Sequence, residues 1–448
     1  MNYQIVSSLF HIDALAMIMM AVILIIGVTV LSFSSRYMKG DAHYNAFLGL
    51  LFSLIVALAG MVSANNLLLF ILLWGVCNSL LIKLMVHESN WIAARASGLL
   101  TAKTFLLGFI CIGIGFYILA SNAHSLLINH IIHANNPSQT TPIALILIFI
   151  GAMTQSGLWP FHRWLISSLN SPTPISAIMH AGLVNGGGFL LARFSPLYIK
   201  HPTILIGLFL IGLLNAIIGT TWKLMQHDVK RMLACSTMGQ MGFMFAQCGL
   251  GLFPAAIAHL CFHGFFKANL FLSAPGAAQE KRALVEHALK LSSFLISLLC
   301  SLCGAFIFSL VTHISYHQYD TNIVLVTLFF IACTQCVLAI LSENTVKNIM
   351  MSFFFSLFFG LFYGLTLKII KTLLSGDFAY TIPTMSIYYD IGLIILVAFW
   401  ILFLFYPAIK NGKFAHNKLS LYIYMKALNA SQPSSKTITS TRNNYSFE

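Results

Sequence analysis

Charge is scarce in this chain of 448 residues: only 8% are Asp, Glu, Lys or Arg, and the acidic ones number 11. A soluble domain carries about 25% charged residues because its surface faces water. The two or three soluble domains that the length alone would suggest are therefore excluded. Also lacking are a P-loop, a Rossmann glycine fingerprint, a nucleophile elbow and a zinc-hydrolase motif. Nine cysteines include Cys300-x-x-Cys303 and Cys333-x-x-Cys336, a spacing shared with zinc and iron–sulfur sites. Both pairs lie inside apolar segments, where i and i+3 are neighbours on one helix face, so they read as small polarizable packing residues. His130-x-x-His133 reads as incidental. No cofactor or metal is expected in this chain.

What the chain has instead is apolar length, with 58% hydrophobic residues. Thirteen segments, each close to the ~20 residues that a ~30 Å hydrocarbon core requires, predict an all-α integral membrane protein. They run 14 to 33, 45 to 64, 67 to 86, 98 to 120, 142 to 165, 175 to 194, 203 to 222, 232 to 250, 254 to 275, 290 to 312, 322 to 341, 349 to 372 and 388 to 407. Residues 1–408 form one polytopic membrane domain in this reading, and 409–448 a tail that is amphipathic and then, beyond about Asn429, disordered. No cleavable signal peptide is expected, since the first apolar segment is too long for one and no A-x-A site follows it.

The formal charge of +13 is spread along the chain, unlike a nucleic-acid-binding face, so no nucleic-acid partner is expected. Topology accounts for it better. Alternate connections place Arg36, Lys39, Lys83, Arg95, Arg163, Lys223, Lys230, Arg231, Lys281, Arg282, Lys290, Lys347 and six lysines and arginines of the tail on one side, eighteen in all. The other side holds Arg193, Lys200, Lys368 and Lys371. By the positive-inside rule the C-terminus is cytoplasmic and the N-terminus outside.

The informative groups are those that titrate inside spans, because a lysine at a span's centre costs about 2.5 to 3.5 kcal/mol. The ninth span reads HLCFHGFFKANLFL and places His259, His263 and Lys267 at i, i+4 and i+8, one stripe that drifts about 40° per step. Histidine titrates near neutrality, so such a stripe suits a proton relay; the alternative is hydrogen bonding that only fixes packing. His180 stands in the middle of the sixth span, beside Asn185 and the small Gly186, Gly187 and Gly188. Lys103, in the fourth span, is a secondary path residue or a lysine that snorkels to the interface. Trp159-Pro160 and Pro172-Thr173-Pro174 suggest a helix broken near 142–174, a feature of ion paths, or else a plain helix end.

The stretches FHIDALAMIM, SSRYMKGD, SPTPISAIMHAGLVNGGGFLLARFSPLY, DVKRMLACSTMGQMGFMFAQCGLG and HLCFHGFFKANLFL resemble the antiporter-like membrane subunits of respiratory complex I (subunit L) and Mrp antiporters, over about residues 10 to 275. Within that superfamily, four features look most like the DabB family, the membrane subunits of bacterial inorganic carbon pumps. They are WPFHRW (Trp159 to Trp164), HAGLVNGGGFLLARFSPL, QCGLG after QMGFMF, and the amphipathic stretch around KLSLYIYMKALN. The resemblance implies conduction of protons or another cation through His180, His259, His263 and Lys267. It also implies a DabA-like, zinc-containing partner that hydrates carbon dioxide to bicarbonate. The readings left open beside it are subunit L of NADH-quinone oxidoreductase, an Mrp-type antiporter subunit, and a scaffold that conducts nothing.

Three positions depart from the respiratory relatives. Trp74 or Gly75 stands where they carry a glutamate, Gln155 stands where they carry a lysine, and the tenth span has no lysine. The superfamily usually has further helices ahead of the HIDALAM segment as well.

Overall fold

The computed structural model describes residues 8–134, 138–278, 290–314, 319–341, 345–375, 382–404 and 418–438. Among these, helices are joined by short connections, with three isolated β-bridges. In chain order the helices are α1 (Ala14–Tyr37), α2 (Tyr44–Ser63), α3 (Leu67–Met85), α4 (Ile92–Ala123), α5 (Ile128–His133), α6 (Thr141–Ser156), α7 (Arg163–Ile166), α8 (Thr173–Ala181) and α9 (Gly186–Arg193). They continue with α10 (Ser195–Ile199), α11 (Pro202–Leu224), α12 (Val229–Gly249), α13 (Phe253–Ser273), α14 (Leu291–Thr312), α15 (Asn322–Ile340), α16 (Val346–Leu374), α17 (Ile387–Leu404) and α18 (Lys418–Ala430).

Every predicted span meets a helix, and the molecule is an all-helical membrane protein. Eleven helical segments among the described residues are long and apolar enough to cross a bilayer. The two predicted spans outside that set are α6, with 16 residues, and α12, which carries Lys230, Arg231, Thr237, Gln240 and Gln247. Asp13, Asn66, Asp228 and Thr345 cap α1, α3, α12 and α16 with their side chains, satisfying amides that the helices leave open at their N-termini. Buried Ser34, Thr101, Thr237 and Ser309 donate to the carbonyl one turn back, the local partner open to a hydroxyl away from water.

The break near 142–174 is present. α6 stops at Gly157, whose φ of +62° is the left-handed region that glycine enters without steric cost. The chain then turns through a cis Trp159–Pro160 peptide, α7 and a 3-10 turn before Pro172 starts α8. A second break, not expected from the sequence, separates α8 from α9 through a 3-10 turn over Leu183–Asn185. The Asn185 side chain repairs part of it by donating through Nδ2 to the Ala181 carbonyl at 2.8 Å. In the apolar core of the segment Thr173–Arg193, 89% of the residues are buried inside the protein, against 22–56% for the other spans, so it is the centre of the bundle. α1, α6, α12 and α13 surround it.

Small residues set the closest approach, as membrane packing requires. A Cβ on Gly242 of α12 would lie 2.5 Å from the Ala216 backbone of α11, and one on Gly304 of α14 would lie 2.6 Å from the Ser356 carbonyl of α16.

Composition predicts disorder beyond about Asn429, but residues 431–438 carry a 3-10 turn at Ser435–Thr437 and bind the bundle. Gln226 Nε2 donates to Ser431 Oγ at 2.8 Å, Arg231 Nη1 to Gln432 Oε1 at 3.0 Å and Asn170 Nδ2 to the Thr437 carbonyl at 2.9 Å. Residues 439–448 lie outside the described residues, as do Lys281, Arg282, Lys410 and Lys413 of the charge tally.

Candidate functional site

Lys267 is wholly buried, and its ammonium donates to the Leu233 carbonyl of α12 at 3.1 Å. The Thr237 hydroxyl donates to the same carbonyl at 3.0 Å and lies 3.1 Å from His180 Nδ1. Since the hydroxyl proton is engaged by Leu233, the Thr237 oxygen accepts from His180, and Nδ1 carries the proton. A chain of three hydrogen bonds thus links His180 on α8 to Lys267 on α13 through α12. The His180 ring also stacks on Phe271, with centroids 4.3 Å apart.

The same logic orients His263. Asn185 Nδ2 is committed to Ala181 and Leu260 carbonyls at 2.8 and 3.3 Å, so the amide oxygen is the atom that faces His263 Nδ1 at 3.3 Å. Nδ1 is then the donor and Nε2 holds the lone pair. His263 Nε2 and His259 Nε2 are both buried without a hydrogen-bond partner. Their rings lie nearly parallel, 6.0 Å apart, a gap that needs a water to close. The four predicted path residues His180, His259, His263 and Lys267 are therefore brought together, around Asn185 and Thr237. Lys103 is not among them: it lies exposed on α4, and none of these hydrogen bonds reaches it.

Neutral amides occupy the neighbouring layer. Gln155 Nε2 donates to Asn78 Oδ1 at 3.0 Å, and Asn78 Nδ2 has no partner. They border a cavity of about 30 Å³ with Trp74, Cys77, Asn185 and Gly186, room for about two waters at 10–15 Å³ each. This cavity joins the Gln155 pair to the amide that orients His263.

Sequence reasoning missed Thr237, Asn78 and a buried ion pair. A threonine two turns into an apolar span was the available sign for Thr237. Asp13 immediately precedes the first predicted span and Arg193 lies at the end of the sixth, yet they form an ion pair with both side chains 3% exposed. Arg193 also donates to the Val62 carbonyl at 2.9 Å, tying α1, α2 and α9 together. At the basic face, Asp41, His87 and Glu88 each offer a ligand atom within 4.8 Å of the others. The hydrogen bond from His87 holds the Asp41 carboxyl below its usual range.

Residues 64–312 match the family described as "NADH:quinone oxidoreductase/Mrp antiporter, TM", and residues 5–48 match "NADH-Ubiquinone oxidoreductase (complex I), chain 5 N-terminus". The "Probable inorganic carbon transporter subunit DabB" of Bacillus subtilis is 39% identical over 274 residues, covering 60% of this chain and 54% of that protein. Subunit DabB1 of Halothiobacillus neapolitanus is 33% identical, with 61% and 50% covered. The chloroplastic "NAD(P)H-quinone oxidoreductase subunit 5" of Glycine max is 34% identical, with 62% and 38% covered. The chain spans about half the length of the DabB relatives it matches. Its fold is similar to a chain in the structure of the Mrp complex from Dietzia sp., with a TM-score of 0.60 at 18% identity, covering 94% of this chain and 52% of that one.

Proposed function

Because the chain belongs to the NADH:quinone oxidoreductase/Mrp antiporter membrane family and is thus an antiporter-like membrane subunit, we propose that it conducts protons to energise inorganic carbon accumulation. The observation that carries conduction is the hydrogen-bonded set His180–Thr237–Leu233–Lys267 beside His263–Asn185, buried at the centre of the bundle. A lysine and three histidines without a carboxylate partner are expensive to place in a membrane, and a path for protons supplies the reason for them.

The carbon assignment is supported by the DabB relatives and by the WPFHRW and HAGLVNGGG runs. A zinc-bearing, DabA-like partner would hydrate carbon dioxide, while this chain supplies the ion flux from the cytoplasmic membrane. The plastid relative at 34% identity favours a second reading, a proton-translocating subunit of a redox complex. A neighbouring gene for one large zinc-motif protein supports the first; a row of respiratory-subunit genes supports the second.

The decisive experiment is growth at ambient carbon dioxide of a carbonic-anhydrase-deficient bacterium expressing the chain with that partner. Wild type is expected to rescue and Lys267→Ala, at equal membrane levels, to fail. Rescue by Lys267→Ala would refute the relay.

A further inference from the structure

At the end of the bundle opposite the basic face, a cavity of about 460 Å³ lies among the N-termini of α13 and α15 and the C-terminal ends of α14 and α16, a volume in the ~300–1,000 Å³ span of ligand pockets. Lys368 and Lys371 line it, so two of the four basic residues that the sequence assigns to this face share one cavity. They stand three apart on α16, where like charges repel. Neither has a carboxylate partner among the described residues, whose side-chain ion pairs are Asp41–His87 and Asp13–Arg193. Asp320 also lines the cavity, but both its carboxylate oxygens are taken at the start of α15, by the backbone and side-chain amides of Asn322 at 3.0 Å each. Positive charge is thus gathered where the chain otherwise has little of it, and left without a counter-charge.

The hydrogen bonds around the cavity narrow what it can hold. The hydroxyls of Thr312, Thr372 and Ser375 all give their protons to carbonyls of their own helices. Lys368 Nζ lies 3.1 Å from His313 Nε2; an ammonium only donates, so the imidazole accepts and is neutral. Lys368 keeps two further N–H donors, and no described residue takes those of Lys371. α13 begins here without a side-chain cap, so its partial positive charge faces the same space. A ligand for this cavity needs negative charge and several acceptor oxygens. The walls also run on into lipid-facing surface. Leu310 precedes His313 by three residues on α14 and Leu365 precedes Lys368 by three on α16, and both are exposed, as are Phe306 and Leu361 one turn deeper. An apolar track therefore leads down each helix from the cationic groups. A free oxyanion uses the cavity alone, whereas a lipid phosphate uses the cavity and the tracks together.

We propose that this cavity binds the phosphodiester headgroup of an anionic phospholipid, with Lys368 and Lys371 donating to the phosphate oxygens and the acyl chains lying along Phe306, Leu310 and Leu365. The lipid supplies the missing counter-charge at the depth where lysine heads reach the headgroup layer. It also ties the ends of α14 and α16 to α13. The inference stands whether or not the chain conducts, so its failure leaves the proposed function untouched.

The test is native mass spectrometry of the full chain in detergent micelles as phosphatidylglycerol is titrated in, with phosphatidylcholine and inorganic phosphate as separate arms. The wild type is expected to hold its first phosphatidylglycerol about tenfold or more tighter than phosphatidylcholine. The double variant Lys368→Gln, Lys371→Gln is expected to weaken that first site by about twentyfold, at roughly fivefold per lysine. Lys368→Arg with Lys371→Arg is expected to retain it, which separates lost charge from a disturbed fold, and Lys347→Gln at the other end of α16 is expected to leave it unchanged. Wild-type affinity in the double glutamine variant overturns the site, and so does an equal loss in Lys347→Gln. Equal affinity for phosphatidylcholine overturns the preference for an anionic lipid. Displacement of phosphatidylglycerol by millimolar inorganic phosphate gives the cavity to a free oxyanion and overturns the lipid.

Discussion

Thr237 holds two of the three hydrogen bonds that join His180 to Lys267, although neither end of that chain is near it in sequence. Thr237→Val keeps the shape and removes the hydroxyl, so flux is expected to fall about tenfold, the cost of one to two hydrogen bonds. Thr237→Ser is expected to retain most of it; equal flux in the valine variant would show that the chain carries nothing. Arg193 acts on stability instead. Arg193→Met leaves the Asp13 carboxylate buried and unpaired, a loss of about 3–5 kcal/mol, read as a lower Tm in detergent. Asp13→Asn in the same chain removes the stranded charge and keeps the helix cap, so it is expected to restore most of the Tm. At the basic face, the Asp41 carboxyl titrates below its usual range because His87 hydrogen-bonds to it. A group with a depressed folded pKa stabilises above its unfolded value, and that contribution is lost as pH falls through the folded one. Amides of residues 38–43 are therefore expected to exchange faster, relative to intrinsic rates, once pH drops below the carboxylate range. His87→Ala is expected to move that onset upward.

Among the helices, the informative ones are those that stop early. α6 ends at Gly157 because a left-handed residue is needed there, and a Cβ would also lie 2.9 Å from the Leu165 side chain. Gly157→Ala is therefore expected to destabilise by about 1 kcal/mol or more, visible as a lower Tm with the helices otherwise intact. Pro160, Pro172 and Pro174 made this break legible in the sequence, since proline removes an amide and restricts the residue before it. The break between α8 and α9 was hidden, because AGLVNGGG reads as an uninterrupted apolar helix with a close-packing face. It follows from tertiary contacts: Asn185 Nδ2 reaches the Ala181 and Leu260 carbonyls, and a Cβ on Gly264 of α13 would lie 3.0 Å from that same Ala181 carbonyl. Where two helices approach this closely, a side chain of the right length replaces the local ladder.

For the molecule as a whole, the segment after α18 joins parts of the chain more than 200 residues away. Its bonds reach Asn170 and Ser167 in the connection between α6 and α8, and Gln226 and Arg231 where α11 passes into α12. Truncation after Ala430 is expected to speed amide exchange across residues 158–172 while leaving α11 and α12 protected, because glycine contacts inside the membrane hold those two together. Unchanged exchange would mean that the segment merely rests there. Polar composition argued for disorder in this stretch, but partners on a folded surface are invisible to composition.

The sequence by itself determined the all-helical membrane class, the place of most spans, and the stripe of His259, His263 and Lys267. All of these follow from hydrophobic period and charge, which are local properties. Only the tertiary structure decided that His180 meets that stripe through Thr237, that Asn185 sets the tautomer of His263, that Asp13 and Arg193 are paired, and that Lys103 stands apart. Those outcomes depend on which helix faces touch. In a membrane that is settled by close packing and by the need of each buried polar group for a partner, and neither can be read from one segment alone.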